Sequence, residues 1–168
     1  VEKNELGPAL KGYNETLEKF SEGLKQIAAT NGDALFIDQL HPFISIIDQA
    51  RAVAPTNRIG GGDFIHPGPA GQAIMAYSIL KGMSFPTVVA SVEIDATSAK
   101  VTKQLNCKID GLKVDTTGKV EFVQLDNALP FFPPAATNIL QWVPILDELN
   151  DYRLKVTGLK AGQYEVRL

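Results

Sequence analysis

The chain has 168 residues, with 16 Lys and Arg against 19 Asp and Glu and a formal net charge of −3. No run of basic residues supplies the electrostatic footprint that nucleic acid requires, and no apolar stretch approaches the roughly 18–20 residues of a membrane span. The single cysteine, Cys107, excludes an internal disulfide, and its alternating surroundings predict a buried, inert thiol. The charged start Val1-Glu2-Lys3-Asn4-Glu5 does not have the pattern of a secretory leader. The chain begins without Met and stops inside what reads as a strand, so both ends read as cut.

Residues 1–13 read as a loop around Gly7, Pro8 and Gly12. Asn14 fits an N-cap, with Glu15 in the first turn where the helix dipole favours negative charge. Leu17, Phe20, Leu24, Ile27 and Ala28 then recur every three or four residues, predicting an amphipathic helix over Glu15–Thr30. Asn31-Gly32 is its stop, glycine accepting the left-handed C′ conformation without a Cβ clash. The unbroken apolar run Ala34-Leu35-Phe36-Ile37 predicts a strand buried on both faces. His41-Pro42 opens a second helix lined by Phe43, Ile46, Ile47, Ala50 and Ala54, and Pro55 stops it. A third helix from Pro69 or Ala70 turns Ala73, Ile74, Tyr77 and Leu80 inward, with Gly82 as C′. Helix, strand and helix in this order fit an α/β layered fold.

Beyond about Lys81–Pro86 the composition changes, dividing the chain into an α/β region, residues 1–84, and a β-rich region, residues 85–168. Val88, Val89, Val92, Ile94, Val101, Ile109 and Val114 predict strands, and Thr116-Thr117-Gly118 a hairpin turn into Val120–Leu125. A proline-rich crossing at 130–134 follows. Residues 152–157 and 163–168 read as a further hairpin, and Leu159-Lys160-Ala161-Gly162-Gln163-Tyr164 fits either a glycine turn or the tyrosine corner of β-sandwiches.

Chemistry concentrates in Gly60-Gly61-Gly62-Asp63-Phe64-Ile65-His66-Pro67-Gly68-Pro69-Ala70-Gly71, a glycine-rich loop running into the third helix. As a pair, His66 serves as general base and acid while Asp63 holds its tautomer, and an ordinary histidine pKa of about 6.5 suits that task. Two other readings stay open on the bare spacing: a divalent-metal site, for which two ligands are too few, and a solvated turn in which Asp63 caps local backbone.

The longer run Gly61-Gly62-Asp63-Phe64-Ile65-His66-Pro67-Gly68-Pro69-Ala70-Gly71-Gln72-Ala73-Ile74 resembles the last sequence block of the SGNH (GDSL-type) hydrolases, in which Asp-x-x-His-Pro leads through a glycine into a helix with a small-residue face. Asp63, His66, Pro67 and Gly71 match, and the likeness runs from Tyr13 to Gly82, about half the chain. It implies the C-terminal part of a three-layer α/β/α sandwich followed by a β-rich accessory region. It also implies an esterase or lipase-like serine hydrolase with His66 as base and Asp63 as its carboxylate. No cofactor or metal is implied. The substrate class would be esters, acylated carbohydrates among them, and export would be the expected location.

The nucleophile is not in the chain on this reading. Ser21, Ser45, Ser78, Ser84, Ser91 and Ser98 stand in neither a Gly-Asp-Ser nor a Gly-x-Ser-x-Gly context, and Ser21, Ser45 and Ser78 read as surface helix hydroxyls. Gly12-Tyr13-Asn14 is only superficially like the family's oxyanion block. Serine and oxyanion donors are therefore expected in an upstream part of the same protein. Without it the chain should be inactive and prone to aggregate through Phe20, Phe36 and Phe43. The rival reading is a non-enzymatic β-rich binding module using Phe131, Phe132 and Trp142 on a glycan. His41, at a helix start, reads as a cap or surface residue.

Overall fold

The computed structural model describes residues 12–61, 66–131 and 134–168. The chain is mixed α/β and separates into two compact units: Val1–Pro86 with Phe132–Ile145, and Thr87–Phe131 with Leu146–Leu168.

The first unit is built on α1 (Tyr13–Thr30), α2 (Leu40–Val53) and α3 (Pro69–Gly82), with a 3₁₀ segment at Pro134–Ile139. α1 packs on α2, α2 on α3, and α3 on the 3₁₀ segment. Ile46, Ile47 and Ala50 of α2, Ala70, Ala73 and Ile74 of α3, and Ala136 and Ile139 are buried. These are the positions that the three-to-four spacing of α2 and α3 turns inward.

Several local expectations are corrected. α1 starts one residue before Asn14, with Gly12 as its N-cap at φ 78°, and the Thr16 hydroxyl and amide both bond back to the Gly12 carbonyl at 3.0 Å. At its other end Asn31 closes the helix through its side-chain amide, which donates to the Ile27 carbonyl at 2.7 Å; Gly32 takes no left-handed conformation. Gly82 is the last residue of α3 rather than its C′ position. The left-handed residue is Ser84, φ 52°, with Ser84 N–H donating to Lys81 O (3.0 Å) and Phe85 N–H to Leu80 O (2.9 Å), the paired bonds of a Schellman end. Gly82 is required for another reason: a Cβ there would lie 2.5 Å from Ile37 Cγ2.

The expected strand Ala34–Ile37 does not form; residues 34–39 are neither helix nor strand. A strand needs a neighbour for its N–H and C=O groups, and all five strands of the described residues lie in the other unit. Instead Ile37 packs over Gly82. Most of the α1 stripe stays exposed among the described residues: Phe20, Leu24 and Ile27 are open, Phe20 by 66%, while Leu17 and Ala28 are half-buried. Phe36 and Phe43, expected to be equally bare, are half-buried, Phe43 because its ring meets the glycine backbone described below.

The second unit is a small two-sheet stack. β1 (Val88–Asp95) is central, antiparallel to β2 (Lys100–Leu105) on one side and parallel to β5 (Asp151–Thr157) on the other. β3 (Cys107–Val114) and β4 (Val120–Asp126) form the second sheet as an antiparallel hairpin. One residue, Asn106, carries the chain from sheet to sheet at φ 58°, a conformation asparagine tolerates well. Ala90, Val92, Ile94 and Cys107 form the core, packed against Val101, Ile109, Leu112, Val120, Phe122 and Val156. Alternation makes this possible, since residues two apart share a face. The expected hairpin of 152–157 with 163–168 does not form: β5 spends its ladder on β1, and 163–168 is not a strand. Within that segment the Tyr164 hydroxyl donates to the Lys160 carbonyl at 2.8 Å, the bond of a tyrosine corner.

Candidate functional site

The glycine loop is held at both ends by one carbonyl. Gly60 O accepts the N–H of Gly68 at 3.0 Å and of Gly71 at 3.2 Å, which draws the loop's entry against the first turn of α3. Gly61 completes the bend at φ 60°, a value that favours glycine. On the exit side Gln72 N–H donates to Gly68 O at 2.9 Å, and its side-chain amide reaches Pro67 O at 3.3 Å. Ile59 and Gly60 are buried, whereas His66 is exposed, three residues before the first residue of α3. Asp63 and its neighbours 62, 64 and 65 lie outside the described residues.

The sequence carries a second Asp-x-x-His-Pro, Asp38-Gln39-Leu40-His41-Pro42, at the start of α2. Here the pair is formed. His41 Nδ1 is 2.6 Å from Asp38 Oδ2 and Nε2 is 3.0 Å from Glu18 Oε1 on α1. The other Asp38 oxygen accepts the N–H groups of Leu40 (3.0 Å) and His41 (3.2 Å), capping the helix. With a carboxylate on each ring nitrogen, His41 has no nitrogen left to take a proton from a nucleophile. It is a staple between α1 and α2.

The staple's charge state sets a pH dependence. The Asp38 hydrogen bond, then the charges of Asp38 and Glu18, hold His41 above its ordinary 6.5. Burial pushes Asp38 up, but the bonds from His41 and Leu40 outweigh it and leave the carboxyl below 3.8. A raised histidine stabilises the fold fully below its unfolded value and loses that contribution as pH rises through the folded one. A lowered aspartate loses its contribution as pH falls through its folded value. Replacing His41→Gln should therefore destabilise most below histidine's ordinary 6.5, near about pH 5, and progressively less as the pH is raised above it. Urea unfolding of both proteins at each pH measures this, and an unchanged difference would refute it.

The serines do other work. Ser78, expected on the surface, is 7% exposed and donates to the Ile74 carbonyl at 3.0 Å; α3 is buried on more than one side, so its polar position needs an internal partner. Ser98 donates to Asp95 at 2.7 Å, and Ser45 accepts from Gln49 at 3.3 Å. Cys107 is buried, its Sγ 3.6 Å from the Ser91 carbonyl. Phe131 belongs to the second unit, fixed through its backbone to the Asn150 side chain at 2.7 and 2.9 Å. Trp142 belongs to the first unit, and Phe132 lies outside the described residues. Among the described residues no three His, Cys, Asp or Glu side chains group as metal ligands, and no helix is long and apolar enough to cross a membrane.

No family profile matches the chain, and no curated protein matches it. A solved structure does: a gut microbial diltiazem-metabolizing enzyme, 27% identical, with a TM-score of 0.69 over 93% of this chain. The matched region is 37% of that enzyme, so the chain spans little more than a third of its length. The fold is thus one found within an enzyme.

Proposed function

We propose that this chain supplies the proton-handling half of an SGNH-type serine esterase, with His66 as general base and acid and Asp63 as its orienting carboxylate. The nucleophilic serine, the oxyanion donors and the remaining strands of a three-layer α/β/α sandwich would come from a part of the protein outside these 168 residues. The observation that carries this reading is the loop of residues 60–68: its ends are clamped at Gly60 while His66 stays exposed at the start of α3. A catalytic base needs both, a rigid mount and an accessible ring.

In the reaction His66 takes the serine proton as the serine oxygen bonds to the ester carbonyl carbon. It returns that proton to the alcohol oxygen as the ester C–O bond breaks, and a water then repeats the cycle on the acyl-enzyme. Asp63 holds the ring and balances the imidazolium. No metal or cofactor enters. The neighbour's metabolism of diltiazem supports a small organic substrate, and esters, acylated carbohydrates included, are the class to assay.

A serine-directed phosphonate tests the reading. The intact protein carrying this chain should label and lose hydrolysis in parallel, while the 168 residues alone should neither label nor hydrolyse. Losing the nucleophile of such an enzyme costs on the order of 10⁶ in turnover. Hydrolysis above background by the isolated chain would refute the division of labour.

A further inference from the structure

Four pieces of backbone and side chain meet beneath the glycine loop. A Cβ on Gly71 would lie 2.6 Å from the Gly60 carbonyl oxygen, 2.6 Å from Pro67 Cβ and 3.2 Å from Phe43 Cζ. The same ring tip stands 3.4 Å from a Cβ built on Gly60. Phe43 of α2 thus floors both the loop's entry and the first turn of α3, and Gly71 is the point where entry, exit and helix touch. The two hydrogen bonds onto Gly60 O run through this contact.

We propose that Gly71 and Phe43 are positioning residues for His66, a role that rests on the catalytic reading only for its effect on turnover. The argument is steric. Ordinary carbon contacts begin near 3.5 Å, so an added methyl at position 71 must displace its neighbours by roughly 1 Å. The two neighbours at 2.6 Å, a backbone oxygen and a pyrrolidine carbon, cannot swing aside, and Pro67 is the residue bonded to His66. The displacement therefore reaches the imidazole with one peptide unit between. A catalytic group misplaced by about 1 Å costs on the order of 100-fold in rate. Gly71 is also the donor to Gly60 O, so a shift of the helix start loosens the loop's entry as well.

The test reads position and rate separately. Ring ¹H–¹³C correlations of His66 and His41 are recorded on the intact protein, with His66→Gln and His41→Gln to assign them. Turnover is measured on the same protein. Gly71→Ala should move the His66 correlations, leave those of His41 in place, and lower kcat about 100-fold with little change in KM. Gly23→Ala is the control, since nothing lies within 4 Å of a Cβ there; it should alter neither. A folded Gly71→Ala protein with unmoved His66 correlations overturns the proposal. If Gly71→Ala does not fold, Phe43→Leu removes the floor without adding atoms, and unmoved His66 correlations in that variant overturn it equally. Failure of both variants to fold, while Gly23→Ala folds, also overturns it, because the contact then holds the core and not the loop. Were the intact protein to lack hydrolysis while the correlations move, the clamp would stand and the esterase reading would fall.

Discussion

On the proposed reading, replacing His66→Ala in the intact protein should reduce ester turnover by on the order of 10⁶, the loss seen when the histidine of a serine-hydrolase triad is removed. The size follows from the step it serves. A serine hydroxyl is a weak nucleophile until a neighbouring base removes its proton, and the leaving alkoxide departs poorly unless that proton is returned. Both transfers pass through one imidazole. Asp63→Asn should lose less, on the order of 10⁴, because the histidine remains but its tautomer is wrong. Folding should barely change in His66→Ala: the ring is exposed, and surface substitutions usually stay within about 0.5 kcal/mol. Kinetics on the intact protein and thermal unfolding of the variant give the two readouts. A His66→Ala enzyme retaining more than about a hundredth of wild-type kcat would end the catalytic assignment.

The largest loss of stability is expected from Ile139→Ala. Ile139 is fully buried in the 3₁₀ segment Pro134–Ile139, which packs on α3. Truncation removes the outer carbons of a side chain enclosed on all sides. The penalty combines lost transfer free energy with an unfilled cavity, typically about 2–5 kcal/mol for such a change. Against a total stability of about 5–15 kcal/mol that is a large fraction. Leu129→Ala, at a position 92% exposed, should shift stability by no more than about 0.5 kcal/mol. Urea denaturation of both variants decides it, and equal midpoints would place Ile139 outside the core.

What could be read from the residues follows from where the determining forces act. α2 and α3 were legible because Ile46, Ile47, Ala50, Ala73 and Ile74 repeat at helical spacing and are buried. The β3–β4 hairpin was legible because its turn is local: Asp115 Oδ1 accepts the Thr117 and Lys119 N–H groups at 2.8 and 3.0 Å, and Gly118 takes φ 90°. Ile139 was missed. Its segment follows a proline-rich stretch and has no periodicity, so only α3 lying against it marks it as core. Ser78 was misjudged for the same reason, since a helix with small residues around it has no single solvent face.

The strand expected at Ala34–Ile37 and the second hairpin at 163–168 show the limit from the other side. Both segments have strand composition, yet a strand exists only where another backbone completes its hydrogen bonds, and neither segment has that partner in the described fold. β5 shows the reverse: it pairs in parallel with β1 across a long sequence separation, and nothing in its own residues announces that choice.

At the candidate site the sequence alone nominated Asp63 and His66, and the helix they lead into, because residue type and spacing are local properties. Its glycine-rich context set this pair apart from the second Asp-x-x-His-Pro, at Asp38 and His41, which reads as a helix start. Tertiary structure alone showed what that second pair does, by placing Glu18 of a different helix on the second nitrogen of His41. It alone decided that Gly71 is the contact on which the loop rests, because that depends on Phe43 arriving from α2, and packing between elements far apart in the chain leaves no periodic trace in the residues themselves.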